Sequence, residues 1–117
     1  MNSKYLTACI LLAAPVVFAA SFDCSKASNA VERFICDEPY LGRLDEALAI
    51  NYRNLRDIFG NRINQKIRYS QIDWLKDRNK CTTERCLVSM YKVRIDEMCD
   101  VISSAGGDCI RSEDVRK

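Results

Sequence analysis

Seven cysteines in a chain of 117 residues constrain the fold more than any other feature of this sequence. One of them, Cys9, lies in an apolar N-terminal stretch, and the other six are spread between Cys24 and Cys109. An even number of cysteines in a small exported chain is typical of a disulfide framework, whereas cytosolic proteins keep such thiols reduced. The interpretation of the six cysteines therefore depends on whether the chain leaves the cytoplasm.

The first 19 residues, MNSKYLTACILLAAPVVFA, have the pattern of a secretory signal peptide, with a lysine near the start, an apolar run and small residues at the end. We expect cleavage after Ala19, because Val17 and Ala19 then supply suitably small or β-branched residues before the cut. The apolar run is shorter than the roughly 20 residues of a spanning helix, so no stable membrane insertion is expected after cleavage. The alternative, lipid attachment at Cys9, would leave no room for an apolar region before that cysteine.

Export makes three disulfides the expected state of the remaining cysteines. Sequence alone leaves the pairing open, and a bridge from the first segment to the last is a competitor. We favour the pairs that are local in sequence, because each then falls at a predicted helix end: Cys24 with Cys36, Cys81 with Cys86, and Cys99 with Cys109. A zinc site or a redox pair is disfavoured, since only one pair approaches the spacing of a zinc knuckle and its gap is too long for C-x-x-C.

Apolar periodicity predicts an all-α fold with one short helix and three longer antiparallel helices. The short helix is expected to begin at a capping box formed by Asn29 and Glu32 and to end near Cys36. From Pro39 onward, apolar residues spaced by three and four positions predict a long amphipathic helix. Gly60-Asn61 is expected to end that helix in a left-handed cap.

The remaining helices are predicted from weaker signals. A third helix is expected over about 63–80, with a looser apolar stripe, and a fourth begins after Thr82-Thr83 and ends at Gly106-Gly107. Residues 20–105 should form one helical domain. Residues 106–117 are expected to be a frayed C-terminal tail that is partly tied by Cys109.

The chain lacks the residues of the commonest catalytic sites. It contains no histidine, which removes the usual general base, the imidazole metal ligands and every Ser-His-Asp arrangement. It has no glycine-rich phosphate loop, and acidic neighbours such as Asp96-Glu97 do not face each other on a helix. We therefore expect a protein that is not an enzyme and that carries no cofactor and no metal.

Charge is distributed unevenly along the chain. Residues 20–50 carry three basic and six acidic side chains, whereas residues 51–80 carry eight basic and three acidic ones. Such asymmetry can steer a charged protein partner, but it is not the uniform basic field that nucleic acid requires. The candidate partner-binding residues are the acidic group Asp37, Glu38, Asp45 and Glu46.

Four stretches of the chain keep the order and spacing of a recurrent motif. They are FDCSKASNAVERFIC from Phe22, LDEALAINYRNL from Leu44, QIDWLKDRNKC from Gln71 and CLVSMYKVRI from Cys86. In these stretches the chain resembles the LprI-like lysozyme-inhibitor family of bacterial exported proteins, from residue 22 to about 98. Cys99 and Cys109 add a further pair to the four cysteines that are usual in that family.

The resemblance implies a helical periplasmic or secreted bacterial domain, in a family some of whose members inhibit lysozyme. The expected function is to bind a lysozyme-like, peptidoglycan-cleaving enzyme, a muramidase, and to occlude its cleft. The alternative is a non-catalytic periplasmic structural or adaptor module that binds another envelope protein.

The motif residues Trp74, Arg78, Tyr91 and Arg94 are interpreted as structural. Trp74 is expected in the core, since large aromatic side chains dominate small cores. At least one ion pair is predicted at a helix contact between Asp45 and either Arg78 or Arg94.

Overall fold

The computed structural model describes residues 21–117 of the chain, and the predicted signal peptide therefore lies outside the described residues. The described part is helical, as predicted. Its helices are α1 (Ala30–Asp37), α2 (Pro39–Ile58), α3 (Asn61–Arg78) and α4 (Glu84–Ser104), with short 3-10 turns at Cys24–Lys26 and Ser112–Asp114.

Helix α1 begins at the predicted capping residue. The Asn29 side chain accepts a hydrogen bond from the backbone N–H of Glu32 at 2.8 Å. The Glu32 carboxylate accepts from the backbone N–H of Ser28 at 2.6 Å, so it reaches one residue further back than a standard capping box requires. That backbone hydrogen bond lowers the pKa of Glu32.

Helices α2 and α4 form the centre of the domain. Tyr91 of α4 bonds to Asp45 of α2, and Asn51 of α2 bonds to the carbonyl of Ile95, so the two helices run in the same direction. Helix α3 connects them and runs antiparallel to both, since Arg78 meets Tyr91 while Gln71 meets Arg94 farther along α4. The buried apolar core is built mainly from these two parallel helices and includes Leu41, Leu44, Leu48, Leu55, Leu87, Tyr91, Ile95, Met98 and Ile102.

The prediction of a left-handed cap at Gly60-Asn61 is wrong. Gly60 has φ −76° and is the N-cap of α3, which begins at the next residue. The backbone carbonyls at the end of α2 find another partner, the side-chain amide of Asn64. This amide donates to the carbonyls of Arg56 and Phe59, each at 2.9 Å. A left-handed cap does occur where α4 ends, at Gly106 with φ 80°.

The prediction of a frayed C-terminal tail is also wrong. Ser112 is buried, and its backbone N–H and hydroxyl donate to the two carboxylate oxygens of Asp96 at 2.8 and 2.7 Å. Ile110 exchanges two hydrogen bonds with the Asn51 side chain, at 2.9 and 2.8 Å. Polar groups on α2 and α4 therefore hold residues that have no helical periodicity of their own.

Within residues 21–117, no helix combines the length and the apolar character that crossing a membrane requires.

Candidate functional site

All three disulfides that were favoured from the sequence are present, with Cα–Cα distances of 5.8 Å for Cys24–Cys36, 5.6 Å for Cys81–Cys86 and 5.3 Å for Cys99–Cys109. The first two join the end of a helix to a neighbouring turn, and the third joins Cys99, in the second-last turn of α4, to the segment that follows the helix. The Cys81–Cys86 bridge closes the connection between α3 and α4, where Thr83 caps α4 by accepting from the N–H of Cys86 at 3.1 Å. Cys81 and Cys86, the pair considered above as a zinc or redox site, thus form the disulfide that closes a helical hairpin.

Three of the motif and candidate residues meet in a buried polar cluster. The Tyr91 hydroxyl donates to Asp45 Oδ1 at 2.6 Å, and Arg78 Nη1 donates to the Tyr91 oxygen at 3.1 Å. Arg78 Nη1 also lies 3.9 Å from Asp45 Oδ1, which is the predicted ion pair. Burial, and then the negative charge of Asp45, raise the pKa of Tyr91, so this phenol stays protonated and donates.

Other groups complete this cluster. The backbone N–H of Ser21 donates to Asp45 Oδ2 at 2.7 Å, and the Ser21 hydroxyl bonds to the same oxygen. Trp74 packs edge-on against Tyr91, with ring centroids 5.1 Å apart, and the Arg78 guanidinium lies 5.9 Å from the Trp74 ring. Trp74 is half-buried against the core, so its side chain supports the cluster from the α3 side.

Arg94 has a separate structural role. Its Nε and Nη2 donate to Gln71 and Ser70 of α3, at 3.2 and 3.0 Å. Its Nη1 lies 3.6 Å from the carboxylate of Glu97, one turn along α4. Burial lowers the pKa of Arg94, and the charge of Glu97 acts in the opposite direction. Arg94 thus fastens the middle of α3 to α4 and is not a partner of Asp45.

The acidic partner-binding group predicted from the sequence needs one correction. Asp45 is only 4% exposed and is committed to Ser21, Arg78 and Tyr91, so it belongs to the interior. The prediction counted it as a contact residue because it belongs to the acidic stretch 20–50.

The other three acidic residues stay accessible. Asp37 and Glu46 are exposed and Glu38 is half-exposed. Arg33 stands one turn before Asp37 in α1, and Arg43 one turn before Glu46 in α2, so the acidic surface is interspersed with basic residues.

Asp37 and Glu38 occupy a corner that is fixed on both sides. The Cys24–Cys36 bridge anchors the last turn of α1, and Pro39 begins α2 immediately after Glu38. Asp37 also lines a groove of about 560 Å³ between α1 and the Cys81–Thr82 turn. An exposed carboxylate is therefore presented from a rigid backbone beside a concave surface.

Sequence reasoning missed the polar residues that hold the tail. Asn51 has no exposed surface and bonds to Ile95 and Ile110, while Asp96 binds Ser112. One signal was available for Asn51, because it lies three residues after Leu48 and four before Leu55, within the apolar stripe of α2.

No group of three or more Cys, Asp or Glu side chains in the described part of the chain is arranged to hold a metal ion. Comparison of the chain with models of protein families, with curated protein sequences and with solved structures finds no match.

Proposed function

We propose that this protein is an exported inhibitor that binds a lysozyme-like, peptidoglycan-cleaving enzyme and blocks its cleft. The proposal starts from the resemblance to the LprI-like family in the four motif stretches. It places the mature protein in the periplasm or outside the cell, where the three disulfides persist.

The observation that carries the proposal is the division between interior and surface. The motif residues Asp45, Trp74, Arg78 and Tyr91 are used inside the domain, in the cluster that joins α2, α3 and α4. Recognition must then use the exposed surface that this cluster holds in place. Asp37, Glu38 and Glu46 are the accessible members of the predicted acidic group, and the fixed corner formed by Asp37 and Glu38 is the contact that we assign to the enzyme.

The mechanism is occlusion. Enzymes that cleave the glycan use two carboxyl groups on either side of the scissile bond, and the cleft between them must admit a sugar chain. A rigid corner that enters or covers the cleft excludes that chain without any chemistry. Many lysozymes are strongly cationic, so acidic side chains at the corner would speed association and favour binding at low ionic strength.

The test is lysis of bacterial cell walls by a panel of lysozymes, with purified, oxidised protein added at about equimolar dose. We expect inhibition of at least one enzyme, and the double variant Asp37→Lys/Glu38→Lys should need at least about tenfold more protein for the same effect. The matched control is Asp57→Lys/Asp73→Lys, which changes the net charge equally at two exposed positions on α2 and α3.

Two outcomes contradict the proposal. If no lysozyme in the panel is bound or slowed, the protein is not an inhibitor of this class. The alternative function, a non-catalytic adaptor that binds another envelope protein, is then favoured. If both double variants lose inhibition equally, net charge and not the corner is responsible.

A further inference from the structure

Apart from the bonds of Asn64 to the end of α2, the polar contacts of helix α3 with the rest of the domain lie in its second half. Arg78 is its buried residue, whereas Ile63 in its first turn is 45% exposed and Ile67 is half-buried. The polar contacts of Ser70, Gln71 and Arg78 hold the second half of α3, but the first half lies over the ends of α2 and α4 with a gap beneath it. This gap is an open groove of about 420 Å³, here called the α3 groove.

Six of the ten residues that line the α3 groove are apolar, and they contribute most of its surface. Its floor is Leu55 and Met98, which belong to the buried core, and its walls are Phe59, Ile63, Ile67 and Val101. Among its polar lining residues, Arg94 and Glu97 form an ion pair with each other. Lys66 has no acidic partner within residues 21–117, so it is the unneutralised charge at the mouth.

We propose that the α3 groove binds a single-chain anionic amphiphile, with the hydrocarbon chain along the apolar walls and the anionic head group at Lys66. The volume is at the lower end of the range for small-molecule sites, which fits a slender ligand. The charge of Lys66 selects an anionic head group over a cationic one.

The same lining disfavours a peptide strand or loop. A peptide would bring backbone N–H and C=O groups into the groove, and these groups require hydrogen-bond partners when they are buried. The apolar walls offer none, and the polar lining residues Ser70, Arg94 and Glu97 already bond to one another, whereas an alkyl chain needs no such partner.

The test is titration of the full, oxidised protein with dodecanoate below its critical micelle concentration, followed by calorimetry and by NMR. We expect saturable one-to-one binding, with the largest shifts at the residues of the groove. Decanoate, which is two methylenes shorter, should bind about tenfold more weakly, since each buried methylene contributes roughly a factor of three to four. Dodecyltrimethylammonium should bind at least about tenfold more weakly than dodecanoate.

Three substitutions on helix α3 test the site. Ile63→Glu puts a carboxylate into the groove wall and should weaken dodecanoate binding at least about tenfold. Ile72→Glu is the matched control, because Ile72 is 38% exposed on α3 but is not a lining residue, and it should leave binding unchanged. Lys66→Glu should reverse the preference between dodecanoate and dodecyltrimethylammonium. Circular dichroism and urea unfolding verify that each variant is folded.

Three results would overturn the proposal. The first is the absence of saturable binding below the micellar concentration, and the second is an equal loss of affinity in Ile63→Glu and Ile72→Glu. The third is a wild-type dimer that Ile63→Glu dissociates, which would make the groove a contact between two copies. None of these measurements involves lysozyme, so failure here leaves the proposed inhibitory function standing, and the reverse also holds.

Discussion

The pair formed by α2 and α4 differs from α3 in what holds each helix in place. Eight residues of α2 and six of α4 are buried, most of them apolar, whereas α3 buries Arg78 alone. The parallel pair is stabilised by removal of apolar surface from water, and α3 by a polar cluster and a disulfide at one end. A helix with only a loose apolar stripe can thus be held in a small domain by a few directional contacts, which here lie in its second half.

The largest expected effect comes from removal of the cation that anchors α3. Arg78→Met leaves Asp45 buried without its ion-pair partner, and loss of one partner of a buried pair costs about 3–5 kcal/mol. Arg68→Met is the control, because Arg68 is exposed on the same helix and should change the free energy of unfolding by less than about 0.5 kcal/mol. Urea unfolding measures both. A cost below about 1 kcal/mol for Arg78→Met would show that the cluster does not anchor α3.

Because α4 buries more apolar surface than α3, the same substitution of isoleucine by alanine should lower the free energy of unfolding by different amounts in the two helices. Ile95→Ala on α4 should destabilise the protein by about 2–5 kcal/mol, since Ile95 has no exposed surface. Ile63→Ala on α3 should cost less than about 1 kcal/mol, because nearly half of that side chain is already in contact with water. Equal costs in thermal or urea unfolding would mean that the first half of α3 is packed as tightly as α4.

Removal of the Cys81–Cys86 bridge tests the second anchor of α3. The double variant Cys81→Ala/Cys86→Ala should lose about 2 kcal/mol, because the loop that the bridge closes is short. Hydrogen exchange should accelerate in residues 71–78. The double variant Cys24→Ala/Cys36→Ala is the control, and exchange within α3 should stay as in the wild type; acceleration there would show that α1 and α3 are not held independently.

The buried phenol of the cluster predicts a dependence on alkaline pH. The pKa of Tyr91 is raised in the folded protein, so folding favours the protonated form. The protonated phenol contributes fully to the free energy of unfolding at pH values below about 10, the pKa of tyrosine in the unfolded chain. Above that pH the contribution decreases, and by pH 11 about 1.4 kcal/mol of it is lost. The free energy of unfolding, measured from pH 8 to 11, should fall less steeply in Tyr91→Phe than in the wild type. Parallel slopes would contradict the assignment.

The sequence predicted α2 and α4 well, because the apolar residues that recur at helical spacing in these two helices are the ones that the structure buries. It also favoured the three disulfides that are present, because local spacing brings the cysteines near helix ends. It predicted a pair between Asp45 and either Arg78 or Arg94, because these charges lie beside apolar stripes, and the structure shows the pair with Arg78. The role of Tyr91 between the two charges was not predicted. That role depends on the distance between helices, which no local pattern encodes.

Two of the errors have different physical origins. Asp45 was counted as a contact residue because it belongs to the acidic stretch 20–50, although it lies four residues after Leu41 and three before Leu48, on the face that α2 buries. The tail was expected to fray because it lacks periodicity, yet it is held by Asn51 and Asp96 from distant parts of the chain. Contacts between side chains and a remote backbone leave no periodic signal.

The contact between Asn51 and Ile110 also bears on the order in which native contacts form during folding. The two residues are 59 positions apart, and both polar atoms of the Asn51 side chain bond to the backbone of Ile110. The amide in the middle of α2 therefore stays without these two partners until the segment around Ile110 has packed against it. A contact between positions so far apart carries a large loop-closure cost, so this end of the core becomes stable only once the chain around Ile110 has been brought back onto α2.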